Sequence, residues 1–208
     1  MTTYNERLSE YITETFAQED EALQRIRQET PERGLPAINI QPEEGHFLRW
    51  LVRATGAKKV LEIGTLGGYS GTWLAGGLPD DGRLITIELD PDHAQVAREH
   101  FEQAGVAERV TIRVGSAHEV LPTLAGDAPF DLIFIDADKS SYQDYLAWAV
   151  EHVRVGGTIL AHNAFAGGKL LDEQPPILEF NRIVADDARL LSTIYPAGDG
   201  TVMAVRLK

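Results

Sequence analysis

The spacing of apolar positions changes character once along the chain. From Leu8 through Tyr11, Ile12, Phe16, Leu23 and Ile26 they recur near helical spacing, which predicts one or two amphipathic helices. Pro31, Gly34 and Pro36 are expected to break that pattern. Phe47, Leu48, Leu51 and Val52 mark the buried side of a further helix from Glu43 to about Ala54, and Pro42 suits its start. From Lys59 onward, short apolar runs alternate with helical stretches. The runs predict strands at Val60–Ile63, Leu84–Glu88, Val110–Val114, Leu132–Asp136 and Thr158–Ala161. Between them, helices are expected around Ser70–Leu78, Pro91–Ala104, Glu119–Leu124, Tyr142–Val153 and Pro176–Asp186. Two last strands, Leu190–Tyr195 and Val202–Leu207, flank a Gly198-Asp199-Gly200 turn, the signature of an antiparallel hairpin.

The strand runs are apolar throughout rather than alternating. Such strands are buried on both faces, as in a parallel sheet covered by helices. The expectation is therefore one domain over residues 1–208. It comprises a doubly wound α/β core at 57–208 and a helical extension at 1–56. No internal repeat, low-complexity tract or linker interrupts it.

Composition narrows the function. The chain has no cysteine, which excludes disulfides and thiolate metal sites. Its formal charge is -13 and it has no basic run, which argues against a nucleic-acid partner. No apolar run is long enough to span a bilayer. Met1–Asp20 carries many carboxylates and no apolar block, unlike a signal peptide, so a cytoplasmic location is expected.

In doubly wound sheets, ligands sit beyond the carboxyl ends of the strands. The first strand is followed by Gly64-Thr65-Leu66-Gly67-Gly68-Tyr69-Ser70. Glycines there let the backbone approach a ligand closely. The Gly-x-Gly-x-x-Gly spacing of a dinucleotide site is absent, because Leu66 stands where its second glycine would be. Glu62 at the strand end would repel a pyrophosphate and suits a ligand bearing an amino group and a sulfonium, which points to S-adenosylmethionine. Glu88, ending the second strand, is placed to accept from ribose hydroxyls. Asp90 suits the N-cap of the next helix. Gly115-Ser116-Ala117-His118 leaves room for an adenine ring, with Ala117 and His118 at its edge, and Ser116 doubles as a helix cap.

The fourth strand ends in Asp136-Ala137-Asp138-Lys139, and the fifth in His162-Asn163. Charge after a wholly apolar strand is costly unless paired or bound to a metal. Asp136, His162 and Asn163 at adjacent strand ends offer a partial shell for a divalent cation. Tyr142, Tyr145 and Trp148, at helical spacing, read as packing residues of the core or of a dimer. Phe165–Pro176, with Gly167-Gly168 and Pro175-Pro176, reads as a mobile loop beside the acceptor.

With these residues in hand, the chain resembles the cation-dependent small-molecule O-methyltransferases, the catechol and caffeoyl-coenzyme A class, and most of all their small bacterial members. The likeness runs from about Tyr11 to the C-terminus. It rests on Pro42-Glu43-Glu44-Gly45-His46-Phe47-Leu48, on Leu61 through Ser70, and on Phe130-Asp131 through Lys139, with Gly156-Gly157, Asn163 and Asp199-Gly200 adding to it. The resemblance implies a Rossmann-like class I methyltransferase fold, a small-molecule acceptor and a homodimer. It also implies roles. Asp136 and Asn163 would bind metal, and Lys139 would take the acceptor's hydroxyl proton. Glu62, Gly64, Tyr69, Ser70, Glu88, Ala117 and Asp136 would contact the methyl donor, with Ile38 and Ile40 in a covering loop; Gly68 of the glycine turn and His118 at the adenine edge are expected beside it from the residues themselves.

One position departs from the family, which carries Asp where this chain has His162. His162 could ligate a metal other than Mg²⁺, such as Mn²⁺ or Zn²⁺. It could act as a base without metal, or it could be structural. A metal-independent methyltransferase and a non-catalytic S-adenosylmethionine-binding protein therefore stay open as alternatives.

Overall fold

The structure is a computed structural model that describes residues 4–208. In chain order its helices and strands are α1 (Glu6–Thr15), α2 (Glu21–Glu32), α3 (Pro42–Thr55), β1 (Lys59–Ile63), α4 (Tyr69–Gly77), β2 (Arg83–Glu88), α5 (Pro91–Gln103) and β3 (Val110–Val114). They continue with α6 (Ala117–Thr123), β4 (Phe130–Ile135), α7 (Tyr142–His152), β5 (Val153–His162), α8 (Leu170–Glu173), α9 (Pro176–Asp186), β6 (Leu190–Tyr195) and β7 (Thr201–Arg206). The sheet order is β3-β2-β1-β4-β5-β7-β6. The first five strands pair in parallel; β7 runs antiparallel to both β5 and β6. The expected hairpin is present, and its return strand β7 lies inside the sheet while β6 forms the edge.

Strand alternation sorts the core into two layers. Leu61, Ile63, Ile133, Ile135 and Ile159 pack under α6, α7 and α9 with Leu121, Tyr142, Leu146 and Phe180. Val60, Leu132, Phe134 and Leu160 pack on the other face against Ile26, Leu48, Trp73, Ala97 and Phe101 of α2–α5. The N-terminal helices thus complete one face of the sheet. No helix among the described residues is long and apolar enough to cross a membrane.

Several boundaries differ from expectation. Pro31 does not break α2 but sits in its last turn, with the chain leaving the helix at Glu32. Asp136 lies just past β4, not within it. β5 begins at Val153, well before Thr158, because α7 runs straight into it, and Gly156 turns there at positive φ. β3 is an edge strand and is only partly buried.

Candidate active site

Two cavities open at the carboxyl ends of β1, β2, β4 and β5. The larger, about 600 Å³, is lined by Ile38, Ile40, Gly64, Tyr69, Ser70, Asp136, Lys139 and Asn163, together with Gly167, Pro175, Pro176 and Asp199. The smaller, about 320 Å³, is lined by Glu88, His93, Ser116, Ala117, His118 and Tyr145 among others. Ile38, Gly64, Leu66, Asp136 and Ala137 belong to both walls, so the cavities meet at Asp136.

Gly64 makes that meeting point possible. Its φ is +103°, and a Cβ there would lie 2.0 Å from the carbonyl oxygen of Asp136. Only glycine lets the β1 and β4 ends come this close. Glu88 points into the smaller cavity. Its Oε2 accepts from the amides of Leu66 (2.7 Å) and Thr65 (3.2 Å), and its Oε1 from that of Asp90 (3.0 Å). A carboxylate has about four acceptor sites, so capacity remains for a ligand hydroxyl. Asp90 caps α5 as expected, accepting from the amide of Asp92 at 2.8 Å. Ser116 sits at the N-cap of α6 without a side-chain capping bond.

Glu62 lies elsewhere than anticipated. Alternation turns it to the α4–α5 face, where it is fully buried and lines neither cavity. Its carboxylate accepts from Ser70 Oγ (2.6 Å) and Thr86 Oγ1 (2.7 Å). Burial raises its pKa against those two hydrogen bonds, with the charges of Asp136 and Glu88 adding to the rise, up to about 7. Its link to a ligand runs through Ser70, which does line the larger cavity. Gly68 also lines neither cavity; it starts α4 at positive φ.

At the chemical end, Lys139 Nζ donates to Asp136 Oδ1 at 3.0 Å and to Tyr142 Oη at 2.6 Å. The buried Tyr142 hydroxyl in turn meets the carbonyls of Ile135 and His162 at 3.3 Å each. Tyr142 is thus more than a packing residue. Tyr145 lines the smaller cavity and donates to Asp138 at 2.7 Å, while Trp148 stacks on His152.

His162 lies behind Asp136, and its side chain lines neither cavity. Nε2 meets Glu44 Oε1 at 2.8 Å; Nδ1 faces Asp136 Oδ2 at 3.4 Å. Burial works against a charged imidazole, yet hydrogen bonding and charge from Asp136 and Glu44 raise its pKa to about 10. For Asp136, burial again opposes charge, and His162 and Lys139 outweigh it, holding the carboxyl below its ordinary value. Asn163 takes a left-handed turn (φ 61°), a region Asn tolerates better than most residues, and its Nδ2 donates to Asp199 Oδ2 at 2.9 Å.

The site contains two acids to which the sequence alone assigns no role. Glu44 arrives from the first turn of α3, and its distance of 118 positions from His162 hides the pairing. The one signal in the sequence is its place as the third residue of a capping box, where Gln41 N donates to its Oε2 at 2.9 Å. Asp199, read as a turn residue and as part of the resemblance but given no role, accepts from Asn163 and from the amide of Gly167 (2.7 Å).

A parallel sheet with β7 reinserted beside β5, carrying paired cavities at its carboxyl edge, defines a Rossmann-like methyltransferase fold. The family model described as O-methyltransferase matches residues 13–207, and the chain belongs to this family of S-adenosylmethionine-dependent O-methyltransferases. It is 46% identical over 170 residues to a catechol O-methyltransferase of Niastella koreensis, a match covering 81% of this chain and 77% of that one. A Bacillus cereus O-methyltransferase solved in complex with SAH is 35% identical, with a TM-score of 0.89 over 96% of this chain and 97% of its own. The O-methyltransferase TomG of Streptomyces achromogenes, involved in tomaymycin synthesis and solved with SAM, is 35% identical, with a TM-score of 0.87 over 97% and 96%.

Proposed function

We propose that the chain transfers a methyl group from S-adenosylmethionine to a hydroxyl of a small, catechol-like acceptor, assisted by a divalent cation. The observation that carries this reading is the meeting of the two cavities at Asp136. One side holds an acid suited to ribose, Glu88, beside the small residues Ser116 and Ala117; the other holds Asp136, Lys139 and Asn163. The name of the Niastella relative favours a catechol over other hydroxyls. In this reading residues 1–208 work as one domain and dimerise, which analytical ultracentrifugation tests.

Of the three expected donors, Asp136 and Asn163 line the larger cavity and would hold the cation, while His162 lies behind Asp136. Asp136 supplies a carboxylate oxygen and Asn163 an amide oxygen, since its Nδ2 is taken by Asp199. His162 would join them only by giving up the proton it holds toward Asp136, and its imidazole nitrogen would then suit Mn²⁺ or Zn²⁺ better than Mg²⁺. Among the described residues no three His, Asp or Glu side chains converge on one point, so Asn163 is needed to complete the set. A divalent cation bound there would lower the pKa of an acceptor hydroxyl. Lys139 takes the hydroxyl proton at Nζ, held in place by Tyr142 and Asp136. Glu88 accepts from the ribose, and Ile38 and Ile40 cover the junction of donor and acceptor. Alignment of oxygen, methyl carbon and sulfur supplies much of the acceleration.

A second reading rests on His162 itself. With a carboxylate facing each ring nitrogen, an imidazolium could supply the positive charge beside Asp136, and the reaction would run without metal. Catechol methylation measured with and without chelator, then with Mg²⁺, Mn²⁺ or Zn²⁺ restored, separates the two. The cation reading expects loss and metal-specific recovery. Activity indifferent to chelator would discard it and leave the methyl transfer standing.

A further inference from the structure

Glu62 is fully buried, and its carboxylate is held by hydroxyls rather than by a cation. Ser70 Oγ meets Oε1 at 2.6 Å and Thr86 Oγ1 meets Oε2 at 2.7 Å. Thr65 Oγ1 lies 2.6 Å from Thr86 Oγ1 and extends this line of hydroxyls to the glycine loop. Phe134 of β4 pairs with Glu62 in the sheet, and Phe101 of α5 closes on Gly71 beside its Oε2. His100 of α5 is turned to the Gly67 carbonyl instead. The charges that act on Glu62 are those of Asp136 and Glu88, both acidic. Burial and like charge favour the neutral acid, the two hydroxyls favour the carboxylate, and the balance falls at about 7.

The proton on Glu62 sets the polarity of Ser70, because a hydroxyl has one hydrogen to give. While Glu62 is ionised, that hydrogen is spent on Oε1, and the larger cavity meets only the lone pairs of Ser70. When Oε1 carries a proton it donates to Ser70 Oγ, and the Ser70 hydrogen is free to turn into the cavity that Ser70 lines. With the ribose at Glu88 in the smaller cavity, the amino-acid end of S-adenosylmethionine falls in the larger one. Ser70 stands in the first turn of α4, whose N-cap is Gly68, with no side chain to bond the open amides. Such a helix start favours a carboxylate, and the ammonium has Asp136 in the same wall. A carboxylate set against the lone pairs of Ser70, with an ionised Glu62 behind them, is opposed twice. The neutral acid removes both objections.

We propose that Glu62 is a positioning residue that takes up a proton from solvent when S-adenosylmethionine binds, so that Ser70 donates its hydroxyl hydrogen to the carboxylate of the methyl donor. This rests on the reading that the ribose lies at Glu88. Glu62 lines neither cavity and acts through Ser70.

The test is calorimetric titration with S-adenosylmethionine in two buffers of different ionisation enthalpy, which counts the protons taken up. The ligand's own amine contributes alike to wild type and variant, so their difference isolates Glu62. At pH 8 wild type should take up about one proton per site more than Glu62→Gln, whose amide can donate to Ser70 as the neutral acid does. At pH 6, where Glu62 already holds its proton, the difference should shrink to about a tenth. The wild-type Kd should accordingly rise about tenfold from pH 6 to pH 8 relative to that of the variant. Ser70→Ala should lose the extra uptake as well. Circular dichroism checks that each variant is folded. One measurement needs no variant: on binding at pH 8, the difference infrared spectrum of wild type should gain the carbonyl band of a protonated carboxyl group. Equal uptake by wild type and folded Glu62→Gln, or the lack of that band, would overturn the proton coupling. Full uptake in Ser70→Ala would overturn the route through Ser70. An S-adenosylmethionine Kd unchanged in Glu88→Ala would instead remove the ribose reading, and this proposal with it.

Discussion

Lys139 is anchored twice, by Asp136 and by the Tyr142 hydroxyl, and its amine still borders the larger cavity. A group held this way serves proton transfer better than binding. Lys139→Ala should therefore lower kcat by about 10²–10⁴-fold while leaving the S-adenosylmethionine Kd unchanged, as stopped assays and calorimetry would report. Unaltered turnover would remove its role. Glu62 makes a different prediction, about stability. Its folded pKa of about 7 lies above its ordinary 4.5, so the folded state binds the proton more tightly. Stability is then unaffected below the lower value, falls as pH rises between the two, and stays reduced above. Glu62→Gln lacks that loss. Its stability relative to wild type should rise by about 2 kcal/mol between about pH 5 and pH 8 in denaturant titrations. A difference flat with pH would mean the carboxylate is ionised throughout. Asp136, Lys139 and Asn163 are legible in the sequence because polar and charged groups at the end of an apolar strand are costly unless a partner or a ligand compensates them. Glu62 is legible as important and misleading as to place: the alternation of β1 sends it to the helix face, one residue away from the ligand edge. The pairing of Glu44 with His162 is invisible, since only the folded chain brings α3 to β5.

Between β5 and α9, where the sequence suggests a mobile loop, the chain forms turns and the one-turn helix α8 and is held in addition by the β6–β7 turn. The amides of Ala164 and Phe165 donate to the carbonyls of Gly200 and Asp199, and the Asp199 side chain takes Asn163 and Gly167. The segment carries Ala166, Gly167, Pro175 and Pro176 into the cavity wall, so its anchoring sets the shape of the acceptor site. Loss of a charged acceptor of two hydrogen bonds costs about 1–3 kcal/mol locally. Asp199→Ala should raise the acceptor KM about tenfold or more, with a smaller effect on the donor Kd, and hydrogen exchange should quicken over residues 163–170. If both affinities fell together, Asp199 would instead be supporting the whole sheet edge. The existence of this loop follows from its glycines and prolines, whereas its anchor does not, because turn residues give no sign of what their side chains hold. The same contrast runs through the strands. The parallel strands announce themselves as apolar runs, while β5 extends back past its apolar stretch to Val153, which pairs with Phe130 of β4.

At the scale of the molecule, the N-terminal helices are tied to the glycine loop that borders both cavities. Tyr69 Oη donates to Glu19 at 2.7 Å, and Glu19 is paired with Arg27 of α2. From the other side, buried His100 of α5 donates from Nδ1 to the carbonyl of Gly67 at 2.7 Å. The loop between β1 and α4 is thus clamped by elements remote in sequence, and a ligand that occupies it stabilises α2 and α5 along with it. Binding only to the folded state adds RT ln(1 + [L]/Kd), about 2.7 kcal/mol at a hundredfold excess over Kd. For a chain of 208 residues that corresponds to a rise in Tm of about 5–10 °C. S-adenosylmethionine at that excess should produce this shift in scanning calorimetry and slow hydrogen exchange in residues 19–30 as well as 64–70. NAD at the same concentration should leave Tm unchanged, because Leu66 occupies the position where a pyrophosphate-binding loop needs glycine. Protection confined to 64–70 would show that the clamp transmits nothing to α2. A shift with NAD and none with S-adenosylmethionine would contradict the assignment of the donor itself.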